Sequence, residues 1–424
     1  MSRLFGTSGI RKILSEIPPE FCVNLGKALG SYTKDKVVAI GRDTRSSGPL
    51  VESSFISGVL STGKDVVELG VVPTPTVGVA TSEYGTGIMV TASHNPPEYN
   101  GFKFWGKSGA LRPSEEEKVE KIFFEKNFKE GGSGSLQSKD YIEKHIDLIL
   151  NTVGRADGVK VLIDCAGGAG STITPTLLDR MGCVVTTIND NVDGVFPRDL
   201  EPTAENMIQT CEVVRKGDFD IAFAHDGDAD RTCAIDGNGI LVEWDSFLSV
   251  LAFDLDTVVT TVDASMRIDD VAKNVVRTRV GDVWVAEEIR KNNADFGGEP
   301  SGTFIFPDIH IYPDGIAAAA KAASLVGSGL FYQRLSEIKS YPMTRLKIPC
   351  ENEKKETTLT KLKEIIDEEY SEVDGIRISR DNSWTLLRPS GTEPYFRITA
   401  EGRTSQDLDG IVADSKKWLE AAMT

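Results

Sequence analysis

Apolar residues in this chain cluster in short solid runs more than they alternate. Three stretches begin alike. KVVAIGRDTRSSG (36–48), GVKVLIDCAGGAGS (158–171) and DTVVTTVDASMRIDDVAK (256–273) each pass from a Val/Ile-rich run into an aspartate and small residues. Such runs read as strands buried on both faces of a parallel sheet, followed here by a turn and a helix. Their recurrence predicts three related three-layer α/β domains with mixed sheets. PLVESSFISGVLSTG (49–63) has helical periodicity with a proline near its start. VVELGVVPTPTVGVA (67–81) reads as strand, turn and helix start, and DLILNTVGRADG (147–158) as a helix running into a linker. KNFKEGGSGSLQSKD (126–140) is Gly/Ser-rich and predicts an exposed loop. The pattern changes at PCENEKKETTLTKLKEIIDEEY (349–370), a charged helix. GIRISRDNSWTLLRPSGTEPYFRITAEG (375–402) and the helix DLDGIVADSKKWLEAAM (407–423) follow. That tail predicts a C-terminal α+β domain. The expected boundaries are 1–150, 151–250, 251–345 and 346–424.

Composition narrows the function classes. A chain of 424 residues exceeds one hydrophobic core, so two to four domains are expected. Apolar content is 40% and charged content 26%, ordinary for a globular protein. The start, MSRLFGTSGIRK, lacks the apolar core of a signal peptide. The longest apolar stretches, such as IAAAAKAASLV (316–326), meet a charge before they could span a membrane. A net charge of −17 argues against a nucleic-acid groove. An anionic small molecule would need a local basic pocket. The six cysteines form no CxxC pair and fit neither a zinc knuckle nor a disulfide framework, so they are expected as buried thiols of a cytosolic protein.

Five stretches carry candidate chemistry. HDGDADR (225–231) follows the apolar FDIAFA. On an extended backbone Asp226, Asp228 and Asp230 would share one side. Three converging carboxylates repel unless a cation neutralises them, and oxygen-only ligation suits a hard ion such as Mg²⁺. An EF-hand is excluded, because Arg231 stands where its glycine should be and Gly237 where its glutamate should be. A solvent-facing acidic turn is the alternative. Arg231 could hold an anion near the cation or simply pair with a carboxylate. In TASHNPPEYNGFKFW (91–105), Ser93 follows a buried strand, and the prolines force rigid turns after it. It should sit at the carboxyl end of the strand, where α/β proteins place ligands. The order A-S-H is not a hydrolase elbow, and adjacent residues do not readily make a Ser–His triad. A serine oxygen that handles a phosphoryl group beside a metal fits better. Lys103 could supply charge or a general base, or lie on the surface. RPSGTEPYFRI (388–398) gathers Arg388, Ser390, Gly391, Thr392 and Arg397, donors suited to a phosphate, or else forms a polar turn. Glu299 and Ser301 in FGGEPSGTFIF (296–306) suit sugar hydroxyls. Ser8 and Arg11 in LFGTSGIRK (4–12) either reach a shared cleft or tie down the N-terminus. In GRDTRSSG (41–48) a buried Asp43–Arg pair is expected to scaffold the loop.

Taken together, TASHNPPEYNGFK, DGDADR, GEPSG, RPSGTEP and the opening FGTSGIR resemble the α-D-phosphohexomutase family, in the family's order and over nearly the whole chain. The resemblance implies four domains around a central cleft: a phosphoserine domain, a metal-binding domain, a sugar-recognition domain and a phosphate-binding C-terminal domain. It implies that Ser93 is phosphorylated at rest, and that Asp226, Asp228, Asp230 and the Ser93 phosphate hold Mg²⁺. Lys103, as general base or acid, and Arg11 would flank the transferring phosphoryl group, with His94 a partner of the serine loop. Ser8, Arg231, Glu299 and Ser301 would contact substrate. Arg388, Ser390, Gly391, Thr392 and Arg397 would hold the non-reacting phosphate. One departure stands out: many bacterial relatives continue the sugar loop as GExSGH, and here that position is Thr303. The GEPSG form, short chain and GTSGIR opening are most similar to the archaeal phosphoglucosamine mutase branch. That branch interconverts glucosamine 6-phosphate and glucosamine 1-phosphate through a bisphosphate intermediate, with hexose 1,6-bisphosphate as activator. Mannose or glucose phosphates are the alternative substrates. The rival activities are a metal-dependent phosphatase and, in a different class, a non-catalytic sugar-phosphate binding protein. The expected partner is a hexose or hexosamine monophosphate, with neither nucleic acid nor membrane, in a cytoplasmic monomer or homodimer.

Overall fold

The computed structural model of the chain describes residues 4–6, 9–390 and 393–424. Its first sheet contains β1 (Ile10–Ile13), β2 (Val37–Arg42), β3 (Asp65–Val71), β4 (Thr86–Val90), β5 (Tyr99–Gly106), β6 (Gly109–Ala110) and β7 (Leu136–Ser138). The order is β1-β5-β4-β2-β3-β7, with β6 paired to β5. Strands β2, β3, β4 and β7 are parallel, and β5 runs antiparallel to both β4 and β1. Helices α1 (Pro19–Tyr32), α2 (Gly48–Leu60), α3 (Thr74–Tyr84) and α4 (Pro113–Glu125) cover it, and α5 (Ile142–Leu150) leads onward. The Gly/Ser-rich segment is not all loop: Leu136–Ser138 adds an edge strand, because Ser135 and the strand after it find backbone partners on β3.

The second sheet holds β8 (Lys160–Asp164), β9 (Val184–Ile188), β10 (Ile221–His225) and β11 (Thr232–Asp236), with α6 (Thr174–Arg180) and α7 (Ile208–Lys216). The third follows α8 (Trp244–Ala252). It holds β12 (Thr257–Thr261), β13 (Asn274–Thr278), β14 (Phe296–Glu299) and β15 (Thr303–Ile305), with α9 (Asp282–Asn292), α10 (Gly315–Gly327) and α11 (Leu330–Glu337). The orders are β11-β10-β8-β9 and β13-β12-β14-β15. All three domains therefore share one plan. The recurring apolar run forms the central strand (β2, β8 or β12), flanked by two parallel strands, and an antiparallel strand closes one side. The link into that last strand is residues 91–98, 226–231 and 300–302 in turn. Those are the serine, acidic and sugar motifs, so the internal repeat places its chemistry at equivalent positions.

Packing joins the domains. The second and third sheets share one core, from Val161 and Phe223 through Phe247, Phe296 and Phe304. The alanines of α10 are buried on every side within it, and their small side chains let that helix lie between the two sheets. The tail forms β16 (Met343–Pro349), β17 (Tyr370–Ser371), β18 (Ile376–Arg380), β19 (Ser383–Pro389) and β20 (Tyr395–Gly402), with α12 (Lys355–Ile365) and α13 (Ser405–Met423). It is an antiparallel sheet of order β16-β20-β19-β18-β17 with its own core. Buried Glu401 latches it to the third domain, accepting from the Met266 and Trp384 N–H groups at 2.7 Å each and from the Ser265 hydroxyl. Five of the six cysteines are buried, and all six are free thiols. Among the described residues no single helix is both long and apolar enough to cross a membrane.

Candidate functional site

Ser93 follows β4 in the left-handed region, with φ of +50°. That conformation is costly for a residue with a Cβ and persists only where its surroundings impose it. Arg45 imposes it here. Its guanidinium, fully buried, donates to the carbonyls of Ser93 (2.8 Å), Asn95 (2.6 Å), Pro96 (2.6 Å) and Tyr99 (2.9 Å). Asp43 orients the fork through Nε at 3.0 Å and also accepts from the Thr91 hydroxyl at 2.6 Å. The predicted Asp43–Arg scaffold is thus present, with Arg45 as the arginine.

The acidic motif is a turn rather than an extended segment. Ala229 adopts φ of +54° and reverses the chain. The alternation expected of a strand is therefore not what unites the carboxylates; the tight turn does so instead. One oxygen from each of Asp226, Asp228 and Asp230 lies within 4.8 Å of the others. Ser93 Oγ donates to Asp226 Oδ2 at 2.7 Å. The serine and acidic loops meet so closely that a Cβ on Gly227 would lie 2.7 Å from the Ser93 carbonyl oxygen, so only glycine fits there.

Lys103, on β5, is buried against this turn. Its ammonium contacts Asp228 Oδ2 at 2.6 Å and also reaches Asp230. Burial disfavours its charge, but Asp228 and Asp230 outweigh that and raise its pKa. Burial and the two neighbouring carboxylates push Asp226 well above the ordinary aspartate value. Burial acts likewise on Asp228, yet Lys103 and the Thr74 hydroxyl hold it below that value. Asp228 Oδ1 and Asp230 Oδ1 are buried with no hydrogen-bond partner. Two orphaned anionic oxygens beside a serine hydroxyl are what a divalent ion with oxygen ligands would satisfy, so these residues fit a metal.

A cavity of about 570 Å³ opens over this turn, lined by Ser93, His94, Arg11, Arg231, Glu299 and Ser301, among others. Arg11 reaches it because β1 pairs with β5, and its Nη1 donates to Asn95 Oδ1 at 3.2 Å. Arg231 lines the cavity and pairs with Glu201 at 3.0 Å, the carboxylate partner that one of the two sequence readings expected. His94 Nδ1 lies 3.3 Å from Ser93 Oγ. Burial, with Arg231 and Arg11 nearby, lowers its pKa to about 3. No carboxylate orients its ring among the described residues, so the pair is no triad. Glu299 accepts from the Gly281 N–H at 3.0 Å. Burial, with Asp282 and Asp263, pushes its pKa up to about 8. Thr303 lies beside Ser301, hydroxyl to hydroxyl at 3.4 Å.

A second cavity of about 560 Å³ adjoins the first through Asp282 and reaches Arg388 and Arg279. Arg388 and Arg397 stand directly opposite each other on β19 and β20. Like charges in that register repel. Arg388 pairs with Asp374 at 3.1 Å, and Arg397 lies 3.8 Å from Glu393. Ser390 Oγ accepts from the Glu393 N–H at 3.2 Å, and Lys355 donates to the carbonyls of Ser390 and Glu393. Ser8, Gly391 and Thr392 lie outside the described residues.

Sequence reasoning passed over several residues. Thr74, at the start of α3, donates its N–H to the Asp228 carbonyl at 2.9 Å and its hydroxyl to that carboxylate. Asp314 caps α10 through the Ile316 and Ala317 N–H groups at 2.9 Å each. Its other oxygen lies 2.9 Å from His145 Nε2 and 3.0 Å from His310 Nε2, while His145 Nδ1 meets the Thr76 hydroxyl at 2.9 Å. By distance those three residues could hold an ion. However, His310 Nδ1 accepts the Tyr312 N–H and its Nε2 makes no hydrogen bond. Thr76, His145 and Asp314 form a hydrogen-bonded brace from α3 to α10, behind the acidic turn. Asp263, Asp282 and Arg279 also line the cavities. Asp282 and Arg279, in unremarked turns, offered no signal along the chain, and Asp263 was visible only as the aspartate after the third apolar run.

Comparison with known proteins gives a consistent result. Models of phosphoglucomutase/phosphomannomutase α/β/α domains I, II and III match residues 2–130, 139–239 and 240–345, and the C-terminal domain model matches 346–417. The chain is 44% identical to a "probable phosphoglucosamine mutase" of Methanosphaera stadtmanae, covering 98% of each protein. It is 41% identical to one of Pyrococcus abyssi, covering 100% of this chain and 99% of the relative. In fold it matches a phosphoglucomutase/phosphomannomutase family protein of Burkholderia thailandensis with a TM-score of 0.90, at 24% identity over 99% of this chain and 97% of that one.

Proposed function

This chain belongs to the phosphoglucomutase/phosphomannomutase family, the α-D-phosphohexomutases, and from that premise we propose that it is a phosphoglucosamine mutase. It interconverts glucosamine 6-phosphate and glucosamine 1-phosphate. One observation carries the reading: the Ser93 hydroxyl, fixed by Arg45, touches a metal-competent carboxylate turn at the base of a cavity that adjoins a second one reaching Arg388.

Ser93 carries the phosphoryl group. Its left-handed backbone and the Arg45 fork point Oγ at the carboxylate turn, so the reacting oxygen is placed before substrate arrives. Asp226, Asp228 and Asp230 would hold Mg²⁺, which supplies charge neutralisation to the phosphoryl group in transit. Arg11 contributes a further positive charge beside it. Lys103, held in its charged form, is suited to donate a proton to an oxygen leaving the phosphoryl group. His94, held neutral, packs against the serine oxygen and fills the wall. Glu299 and Ser301 offer an acceptor and a donor to the sugar, with Arg231 beside them and Thr303 in place of the histidine of many bacterial relatives. Arg388, Arg397 and Ser390, with Gly391 and Thr392, bind the phosphate that does not react, and Ser8 contacts the substrate. The transferred group converts substrate into a hexosamine bisphosphate. That intermediate must turn end over end, since one serine serves both carbons, and Ser93 then takes back the other phosphate. Hexose 1,6-bisphosphate would recharge Ser93 after hydrolysis. The free thiols support a cytoplasmic enzyme.

The test is a parallel assay of glucosamine, glucose and mannose 6-phosphates with Mg²⁺ and the cognate bisphosphate. The highest kcat/KM is expected for glucosamine 6-phosphate, with Ser93→Ala nearly inactive. Preference for a neutral sugar would assign a phosphoglucomutase or phosphomannomutase instead. Phosphate release without isomer formation would assign a phosphatase.

A further inference from the structure

The three repeats differ at the acidic residue that closes their central apolar run. In the first domain Asp43 is wholly buried and paired with Arg45 at 3.0 Å. In the second Asp164 is wholly buried and paired with Arg198 at 2.9 Å. In the third Asp263 accepts from the Thr261 hydroxyl at 2.6 Å and, among the described residues, makes no ion pair. The acid after the third apolar run therefore has no arginine partner, and it lines the substrate cavity.

Asp263 is not isolated. It follows β12, Asp282 begins α9 after β13, and Glu299 ends β14. These are three adjacent parallel strands, and all three carboxylates emerge at their carboxyl ends into the cavity of about 570 Å³. Glu299 is 7% exposed, and among the described residues no side chain donates to it or to Asp282. Burial and the crowding of the three carboxylates together raise its pKa. Arg11, Lys12 and Arg231 also line the cavity, together with Asp230 of the acidic turn. The side formed by the third sheet is thus the one whose carboxylates have no side-chain donor. A plain sugar phosphate leaves those carboxylates unmatched. A phosphate ester that also bears a primary ammonium can pair with them.

We propose that Asp263 and Asp282, with Glu299, bind the C2 ammonium of glucosamine phosphate and so set the preference for the amino sugar over glucose and mannose phosphates. This rests on the phosphoglucosamine mutase reading above and names its specificity determinants. Replacing either aspartate by asparagine keeps its shape and removes the carboxylate, so discrimination should fall if the carboxylate meets the ammonium.

The experiment uses Asp263→Asn and Asp282→Asn in the full chain with Mg²⁺, each variant checked by thermal melting. The quantity read is the ratio of kcat/KM for glucosamine 6-phosphate to that for glucose 6-phosphate. One charge-assisted hydrogen bond gives a fall in that ratio of about tenfold per variant. The loss should appear chiefly in KM for the amino sugar. Equal losses on both sugars, or an unchanged ratio, overturn the inference alone. A wild-type enzyme that turns over glucose 6-phosphate but not glucosamine 6-phosphate overturns the activity itself, and is seen before any variant is made. The two aspartates follow different strands, so misfolding of one variant leaves the other to decide.

Discussion

Replacing Arg45 by lysine keeps the charge and removes the fork. The guanidinium makes five hydrogen bonds, one to Asp43 and four to the carbonyls of residues 93, 95, 96 and 99. A lysine ammonium has three donors at a single point and no planar geometry to span those carbonyls. At least two of them lose their donor inside the protein, at about 1–3 kcal/mol each, or about 2–6 kcal/mol in total. The loss is local, because all four carbonyls belong to the loop that holds Ser93 left-handed. If about 2–3 kcal/mol of it falls on the order of that loop, kcat drops by about 30- to 150-fold. Steady-state kinetics gives kcat. Hydrogen exchange of residues 93–99 reports loop order separately, and thermal melting reports the rest of the fold. Loss of protection in the loop, with most of the melting temperature retained, is the expected combination. A variant with wild-type kcat and a protected loop would refute the claim that the fork positions the serine.

Arg388→Ala should raise KM for both glucosamine phosphates by tenfold or so, since charge-assisted phosphate bonds are worth about 1.5–3 kcal/mol, and unchanged KM and kcat/KM would remove it from the clamp. Glu299 has its pKa raised from an ordinary 4.5 to about 8, so the native state holds a proton that the unfolded chain has lost. Its contribution to stability is complete below about 4.5, falls by about 1.4 kcal/mol per pH unit above that, and is gone above about 8. Denaturant titrations at several pH values should therefore show wild-type stability declining across that window relative to Glu299→Gln; parallel curves would contradict it. Asp314→Ala uncaps α10 and leaves the buried His145 Nε2 without its carboxylate, with an expected cost of about 2–4 kcal/mol. Calorimetric titration should also find weaker Mg²⁺ binding, because the brace behind the acidic turn is cut; wild-type affinity in a folded variant would show that the brace does not reach the turn.

The chain revealed its repeats because fully buried parallel strands need solid apolar runs, and β2, β8 and β12 are those runs. Ser93, the three aspartates and the arginines of the last domain were legible because each sits in a dense polar cluster just after such a run or within a Gly/Ser turn. Position along the chain did not show how the aspartates converge: an extended backbone predicts one shared side, whereas a left-handed Ala229 produces a turn. Lys103 could not be told from a surface lysine, since its burial depends on β5 facing the second domain. Thr74, Asp282 and the His145–Asp314 brace were invisible for the same reason. Their partners lie far away in sequence, and nothing local marks an isolated threonine or aspartate. Asp263 was in view as the aspartate after the third apolar run, but its place in the cavity beside Asp282 and Glu299 depends on how the third sheet folds.

The most direct measurement follows the phosphoryl group itself. Enzyme carrying labelled phosphate on Ser93 is mixed with unlabelled glucosamine 6-phosphate and Mg²⁺ and quenched within a single turnover. The label should leave the protein and appear first in the hexosamine bisphosphate, at a rate at least equal to kcat. Product formed while the label stays on Ser93, or label released as inorganic phosphate at that rate, would contradict the account.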